Sequence, residues 1–177
     1  MVLFGACYAY YLRVNKQKKV NIAAAPLETP GIFLSYSWKQ KAQALKVAAG
    51  LRIADLTVWL DEDRMCEDGC GGSDTVDAMS SNIAKAQVFV ACYSKEYARS
   101  PNCKSECEYA HNLKKPSFFV NLGESYKALE DVEQGWLAFI MGATLYFSMQ
   151  TDAKYESELP RLIRGIKSKL RAGSHAT

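Results

Sequence analysis

The hydrophobic positions of this chain fall into two alternating patterns. Short apolar runs bounded by turn residues recur at Gly31–Tyr36, Leu56–Leu60, Gln87–Tyr93, Ser117–Val120 and Thr144–Phe147. Runs of this length and kind read as buried strands. Between them the apolar residues return every three or four positions, the period of one helix face. Lys39–Arg52 carries Leu45, Ala48, Ala49 and Leu51 on one side. Val76, Met79, Ile83 and Ala86 follow a cap at Ser73 or Asp74. Leu159, Leu162, Ile163, Ile166 and Leu170 mark a last helix, and Tyr126–Met141 reads as a less regular helical stretch.

Strands alternating with helices, with the strands apolar on both faces, predict a parallel sheet covered on both sides. The fold class is therefore α/β, a flavodoxin-like three-layer sandwich. Five strands suggest the order 2-1-3-4-5, in which the first and third strands diverge and ligands bind beyond their carboxyl ends. The loop after the first strand carries Tyr36, Ser37 and Trp38. The loop after the third leads through Tyr93 and Ser94 to Ser100 and Glu106. Topology alone thus directs Tyr36, Trp38 and Glu106 towards one crevice.

The segment Ser100–Ala110 has the clearest local signals. Ser100 is a good N-cap, and Pro101 suits the first helical position, where no N–H is needed. Cys103, Cys107 and Ala110 form a narrow stripe of small residues suited to packing on a sheet. Glu106 lies one step off that stripe, at its edge, where a cleft carboxylate would sit. Glu108 faces another way and reads as solvent-facing.

Several of these segments resemble boxes of the TIR (Toll/interleukin-1 receptor homology) domain family. Ser100-x-Asn102-Cys103-x-x-Glu106-x-x-x-Ala110 resembles the family's third-helix signature. Ile32-Phe33-Leu34-Ser35-Tyr36-Ser37 resembles its first-strand box, and Gly135-Trp136-Leu137 and Leu145-Tyr146-Phe147 resemble the closing segments of one eukaryotic branch. The resemblance runs from about Gly31 to Leu170. It implies signalling by self-association with other TIR domains, and in the enzymatic members cleavage of NAD at the nicotinamide–ribose bond, with NAD as substrate and no resident cofactor. Glu106 matches the glutamate those enzymes require. A single carboxylate suits the task, because nicotinamide leaves from a pyridinium and needs no acid to protonate it. The implied substrate-binding residues are Tyr36 and Trp38, stacking on nicotinamide or adenine, with Ser35, Ser37, Ser100 and Asn102. Structural alternatives stand beside these roles: Tyr36 as a strand-end core residue, Trp38 as a rim aromatic covering the first helix, and Ser35 and Ser37 as caps of the helix that begins near Lys39. The stretch Asp61–Ser73, with Asp61, Glu62, Asp63, Gly69, Gly71 and Gly72, corresponds to the loop that TIR domains use for assembly and for gating the pocket. Two positions depart from the hydrolytic pattern: Asn102 stands where several enzymes carry an aromatic residue, and Ser37 where some carry an arginine. The resemblance therefore leaves two classes open, an NAD glycohydrolase and a non-enzymatic adaptor acting by TIR–TIR contacts.

Composition narrows the alternatives. A net charge of +3 with no basic stripe argues against nucleic acid. Six cysteines spread through apparent helices, strands and a loop read as reduced thiols in a cytoplasmic protein. Cys66-x-x-x-Cys70 and Cys103-x-x-x-Cys107 have a spacing zinc sites permit, but the second pair already fits as sheet-facing residues, so no metal is expected. A flavin-binding relative of flavodoxin ranks low, since no Ser/Thr-rich phosphate loop follows the first strand. Residues 1–30 differ from the rest. Val2–Leu12 is apolar and Arg13, Lys16, Lys18 and Lys19 follow it. The run is shorter than the roughly 20 residues that span a bilayer. It fits either the end of a membrane helix with its basic flank in the cytoplasm, or an interfacial or disordered leader. Residues 31–171 form the domain, and 172–177, with His175, read as a disordered tail.

Overall fold

The computed structural model describes residues 31–60, 73–123 and 126–173, apart from 132, 134, 143 and 145. Five parallel strands form one sheet: β1 (Ile32–Tyr36), β2 (Val58–Trp59), β3 (Val88–Tyr93), β4 (Ser117–Asn121) and β5 (Tyr146–Ser148), in the spatial order β2-β1-β3-β4-β5. The helices are α1 (Lys41–Ile53), α2 (Ser73–Lys85), α3 (Lys95–Ala98), α4 (Pro101–Asn112), α5 (Gly135–Met141) and α6 (Asp152–Gly173). The α/β class, the five strands and their order are those expected from the pattern.

Alternation along the strands sorts the core into two layers. Ile32, Leu34 and Tyr36 of β1 and Val88, Val90 and Cys92 of β3 face α1 and α6. Phe33 of β1 and Phe89, Ala91 and Tyr93 of β3 face the layer built by α2, α3, α4 and α5. Ser35 shares the parity of Phe33, so it points towards α4. β1 and β3 are in register from Ile32–Val88 to Tyr36–Cys92, which sets Ser35 beside Ala91 at the carboxyl end of the sheet.

The boundaries differ from the sequence reading in four places. Residues Trp38–Gln40 form a 3-10 turn, closed by Gln40 N–H to the Ser37 carbonyl at 2.8 Å, before α1 begins at Lys41. β2 shrinks to two paired residues because it is an edge strand with one neighbour. Thr144 does not open β5: its N–H bonds to the Met141 carbonyl at 2.9 Å and so belongs to the end of α5. Within Tyr126–Met141 the described helical segments include the 3-10 turn Ala128–Glu130 and α5, not one continuous helix.

One close approach fixes how α6 lies on α1. A Cβ on Gly50 would stand 2.6 Å from both Tyr155 Oη and Leu159 Cδ2. The Tyr155 hydroxyl is itself pinned, donating to the Lys46 carbonyl at 2.9 Å. Gly50→Val is therefore expected to destabilise the domain by about 1–3 kcal/mol through overpacking. Urea unfolding checks it; an unchanged midpoint would mean that α6 slides away without cost.

Candidate active site at the divergence of β1 and β3

The site is built where β1 and β3 send their loops apart. After β3, Ser94 caps the short α3. Its Oγ accepts from Tyr97 N–H at 3.2 Å and donates to Glu96 Oε2 at 3.1 Å. Gln40 Nε2 also donates to Glu96, at 2.8 Å, tying α3 to the loop after β1. The Glu96 carboxyl is held below its ordinary pKa, first by its own backbone N–H, then by Ser94, Gln40 and the charge of Lys39. Ser100 next caps α4 as expected, its Oγ accepting from Cys103 N–H at 3.3 Å, with Pro101 in the first turn.

Helix α4 lays Cys103, Cys107 and Ala110 on the sheet. The Cys103 thiol donates to the Tyr36 carbonyl at 3.5 Å. Burial pushes the Cys103 thiol up to about 11 and the Cys107 thiol up to about 12, so both are neutral packing groups. Among the described residues no three His, Cys, Asp or Glu side chains gather as a metal site; Cys66 and Cys70 lie outside the described residues.

Glu106 sits at the edge of that stripe, half-buried. Ser35 Oγ donates to Glu106 Oε2 at 2.5 Å, and Ser35 Oγ also lies 2.9 Å from Tyr97 Oη. A contact this short is typical of a hydroxyl donating to a carboxylate. Ser35 and Tyr97 are 2% and 0% exposed. Desolvation, with smaller contributions from Cys107, Cys103 and Glu106, raises the Tyr97 phenol well above its ordinary pKa, so it stays protonated. Trp136 secures Tyr97 from outside: its indole N–H donates to the Ala98 carbonyl at 2.9 Å, and its ring stacks on Tyr97 at 6.4 Å. Glu108, expected to face solvent, is half-buried and 3.8 Å from Lys104.

Beside this group runs a cleft of about 430 Å³ between the loop after β1 and α3–α4. Ser37, Trp38, Ser100 and Cys103 line it, with Lys39, Lys95, Arg99 and Glu96. Trp38 is 57% exposed, under the Lys41 ammonium at 5.2 Å. Arg99 is drawn towards Glu133 at 3.6 Å. Glu106 does not line this cleft. Cys103, one turn earlier on α4, is the nearest residue of its helix that does. Another hollow, of about 530 Å³, opens beyond β4 and β5 against Tyr93, Asn121 and Tyr146. It is the larger of the two, yet neither Glu106 nor Ser35 reaches it.

The six binding candidates therefore separate. Ser35 meets Glu106 directly; Ser37, Trp38 and Ser100 line the cleft; Asn102 is exposed on α4. Tyr36 corrects the expectation of a stacking ring. Consecutive strand residues face opposite sides, so with Ser35 turned to Glu106 the Tyr36 side chain is buried in the α1–α6 core, while its carbonyl accepts from Cys103 on the α4 side. Ser37 stands at the N-cap of the 3-10 turn without a side-chain cap bond. Asp61, Glu62, Asp63, Gly69, Gly71 and Gly72 lie outside the described residues. Tyr97, Lys39, Lys95 and Arg99 are site residues the sequence reading lacked. Ser94-Lys95-Glu96, a cap followed by an acidic first turn, was the signal for α3.

No helix among the described residues is long and apolar enough to cross a membrane. Comparison with known proteins places the fold. The TIR domain of the Toll-related receptor TRR-2 from Hydra magnipapillata superposes with a TM-score of 0.58 at 11% identity, over 78% of this chain and 99% of that one. A metazoan TIR-STING receptor from C. gigas, solved with 2′,3′-cGAMP, matches at TM-score 0.54 and 17% identity over 81% of this chain and 42% of that receptor. The TIR domains of the activated Roq1 resistosome, which recognises the effector XopQ, match at 0.51 and 15% over 78% and 98%. A sequence search among curated proteins found no significant match. The TIR domain family profile matches residues 32–163, most of the chain, and the strand order agrees with it, so the chain belongs to the TIR domain family.

Proposed function

We propose that this TIR-domain signalling module hydrolyses NAD at the nicotinamide–ribose bond when copies assemble, releasing nicotinamide and ADP-ribose or a cyclic form, with Glu106 as the catalytic carboxylate. The observation that carries the reading is the 2.5 Å bond from Ser35 to Glu106, which sets one carboxylate at the carboxyl end of β1. Ligands of doubly wound sheets bind at this position. Nicotinamide departs neutral from a pyridinium, so the protein need only orient the ribose and stabilise the oxocarbenium-like transition state with a fixed negative charge. Water, or an atom of the same substrate, then takes the anomeric carbon. The cleft one turn along α4 suits the rest of the dinucleotide. Trp38 offers an exposed ring to a base, Ser37 and Ser100 offer hydroxyls, and Lys39, Lys95 and Arg99 outweigh Glu96 beside the pyrophosphate. The stretch Asp61–Ser73 gates and assembles on this reading.

The test is nicotinamide release from NAD by the purified 177-residue chain at high concentration or under crowding, beside Glu106→Gln. Release that vanishes in the variant supports the hydrolase. The cationic wall makes a separate prediction. Lys95→Glu with Arg99→Glu should raise KM about tenfold, roughly 1.4 kcal/mol of lost binding, with kcat little changed. A KM that stays put would place the phosphates elsewhere.

The second reading, an adaptor that signals through TIR–TIR contacts without turnover, draws on Asn102 at the usual aromatic position and on large exposed apolar side chains. Phe139 on α5 is 82% exposed, and Ile53 and Tyr146 are also open. Protein that light scattering finds assembled, yet that releases no nicotinamide, would favour it. Self-association belongs to both readings.

A further inference from the structure

The Ser35 hydroxyl has one proton, and that fact gives the buried chain of three side chains a direction. Ser35 spends its proton on Glu106 Oε2 at 2.5 Å, so the 2.9 Å contact with Tyr97 must be a bond in which Tyr97 donates to Ser35 Oγ. We propose that Tyr97 and Ser35 are positioning residues, a one-way hydrogen-bond relay that holds the Glu106 carboxylate in a single orientation. The inference rests on the hydrolase reading for its catalytic consequence, but the relay itself stands on geometry.

Each link has independent support. Tyr97 sits 62 residues from Ser35 in the chain and is fully buried, so no water competes for its hydroxyl. It has no freedom to leave: its N–H is capped by Ser94, and Trp136 stacks on its ring while bonding the last carbonyl of α3. Ser35 is fixed by the β1–β3 ladder, in which it pairs with Ala91. A hydroxyl whose lone pair receives a proton becomes a better donor on its other side, because aligned hydrogen bonds polarise one another. The relay thus strengthens the Ser35–Glu106 bond from inside the core and prevents the carboxylate from turning. A static carboxylate stabilises developing charge without reorganising during the reaction. The titratable groups beside Glu106 include Tyr97 from α3 and Cys103 and Cys107 from α4. The phenol and the two thiols stay neutral near pH 7, and Glu108, two residues on, is turned towards Lys104.

Tyr97→Phe, Ser35→Ala and Ser35→Thr in the full chain test the relay with two readouts. The first is the titration of the Glu106 carboxyl carbon by NMR, assigned by its loss in Glu106→Gln. Donors to a carboxylate favour its charged form, so Tyr97→Phe and Ser35→Ala should each move the midpoint up, and Ser35→Thr should return it. The second is nicotinamide release, where Tyr97→Phe should lower kcat about tenfold with KM unchanged, the size of one ordinary hydrogen bond. A midpoint unmoved in folded Tyr97→Phe and Ser35→Ala overturns the relay. A moved midpoint with no turnover even in the parent chain supports the relay and sinks the hydrolase instead. If Tyr97→Phe does not fold, the Ser35 pair decides alone: recovery with Thr but not Ala supports the relay, and equal behaviour of the two overturns it.

Discussion

Glu106→Gln is expected to lower kcat for nicotinamide release by about 10²–10³, the usual effect of removing a group aimed at transition-state charge. The substitution keeps the length of the side chain and still offers Ser35 an acceptor oxygen, so the 2.5 Å contact is replaced by a longer neutral bond and the core around Tyr97 is preserved. What disappears is the negative charge. Because that charge acts on the ribose ring only as nicotinamide leaves, KM should change little. Thermal unfolding should stay close to that of the parent chain, since Glu106 is only half-buried at the edge of the apolar stripe of α4. Glu106→Ala is the harsher form: it leaves the buried Ser35 hydroxyl without its acceptor, and the loss of turnover then comes with some loss of stability. Release that survives Glu106→Gln at parental rate would move the catalytic role away from this residue and leave the adaptor reading ahead.

The sequence carried the frame of this site further than its details, and the reasons are physical. The strand order follows from the alternation of two hydrophobic periods, and the cap at Ser100 from a local signal written in adjacent residues. Glu106 was legible because its place beside the Cys103–Cys107–Ala110 stripe is fixed by helical geometry alone. Of the two readings the sequence leaves open for Tyr36, a stacking ring or a strand-end core residue, strand parity selects the second. Once Ser35 faces α4, its neighbour must face α1 and α6. Tyr97 was missed outright. Its helix is four residues long, too short for a periodic signature, and its partner Ser35 is 62 positions away. No local pattern encodes a contact of that separation. Trp136 marked the family resemblance, while its work, clamping α3 through the Ala98 carbonyl, emerges only in three dimensions.

The second large effect expected is on stability, from Phe33→Ala. Phe33 is the residue of β1 on the same face as Ser35, two positions earlier, and is 1% exposed. Its ring stacks on Trp59 at 4.8 Å with planes 24° apart, and on Phe89 at 5.7 Å with planes 9° apart. One side chain thus joins β2, β1 and β3 beneath the site. Removing it should cost about 3–5 kcal/mol, the usual range for a buried Phe→Ala with the cavity it leaves. A domain whose net stability is about 5–15 kcal/mol gives up a large share of it. The effect should reach the site as well. Ser35 keeps its position because β1 pairs with β3 through Ser35 and with β2 through Phe33 two residues earlier, and a cavity at Phe33 loosens that pairing beneath Ser35. Chemical denaturation should place the midpoint far below that of the parent chain. The Glu106 carboxyl signal should broaden in Phe33→Ala while the protein is still folded. A Phe33→Leu chain separates the two effects. It refills most of the volume and should recover most of the stability, as hydrophobic replacements that nearly conserve volume do. If Phe33→Ala unfolded at the parental midpoint, the three rings would contribute no cohesion to the sheet, and the rigidity of Ser35 would have to come from the backbone pairing of β1 alone.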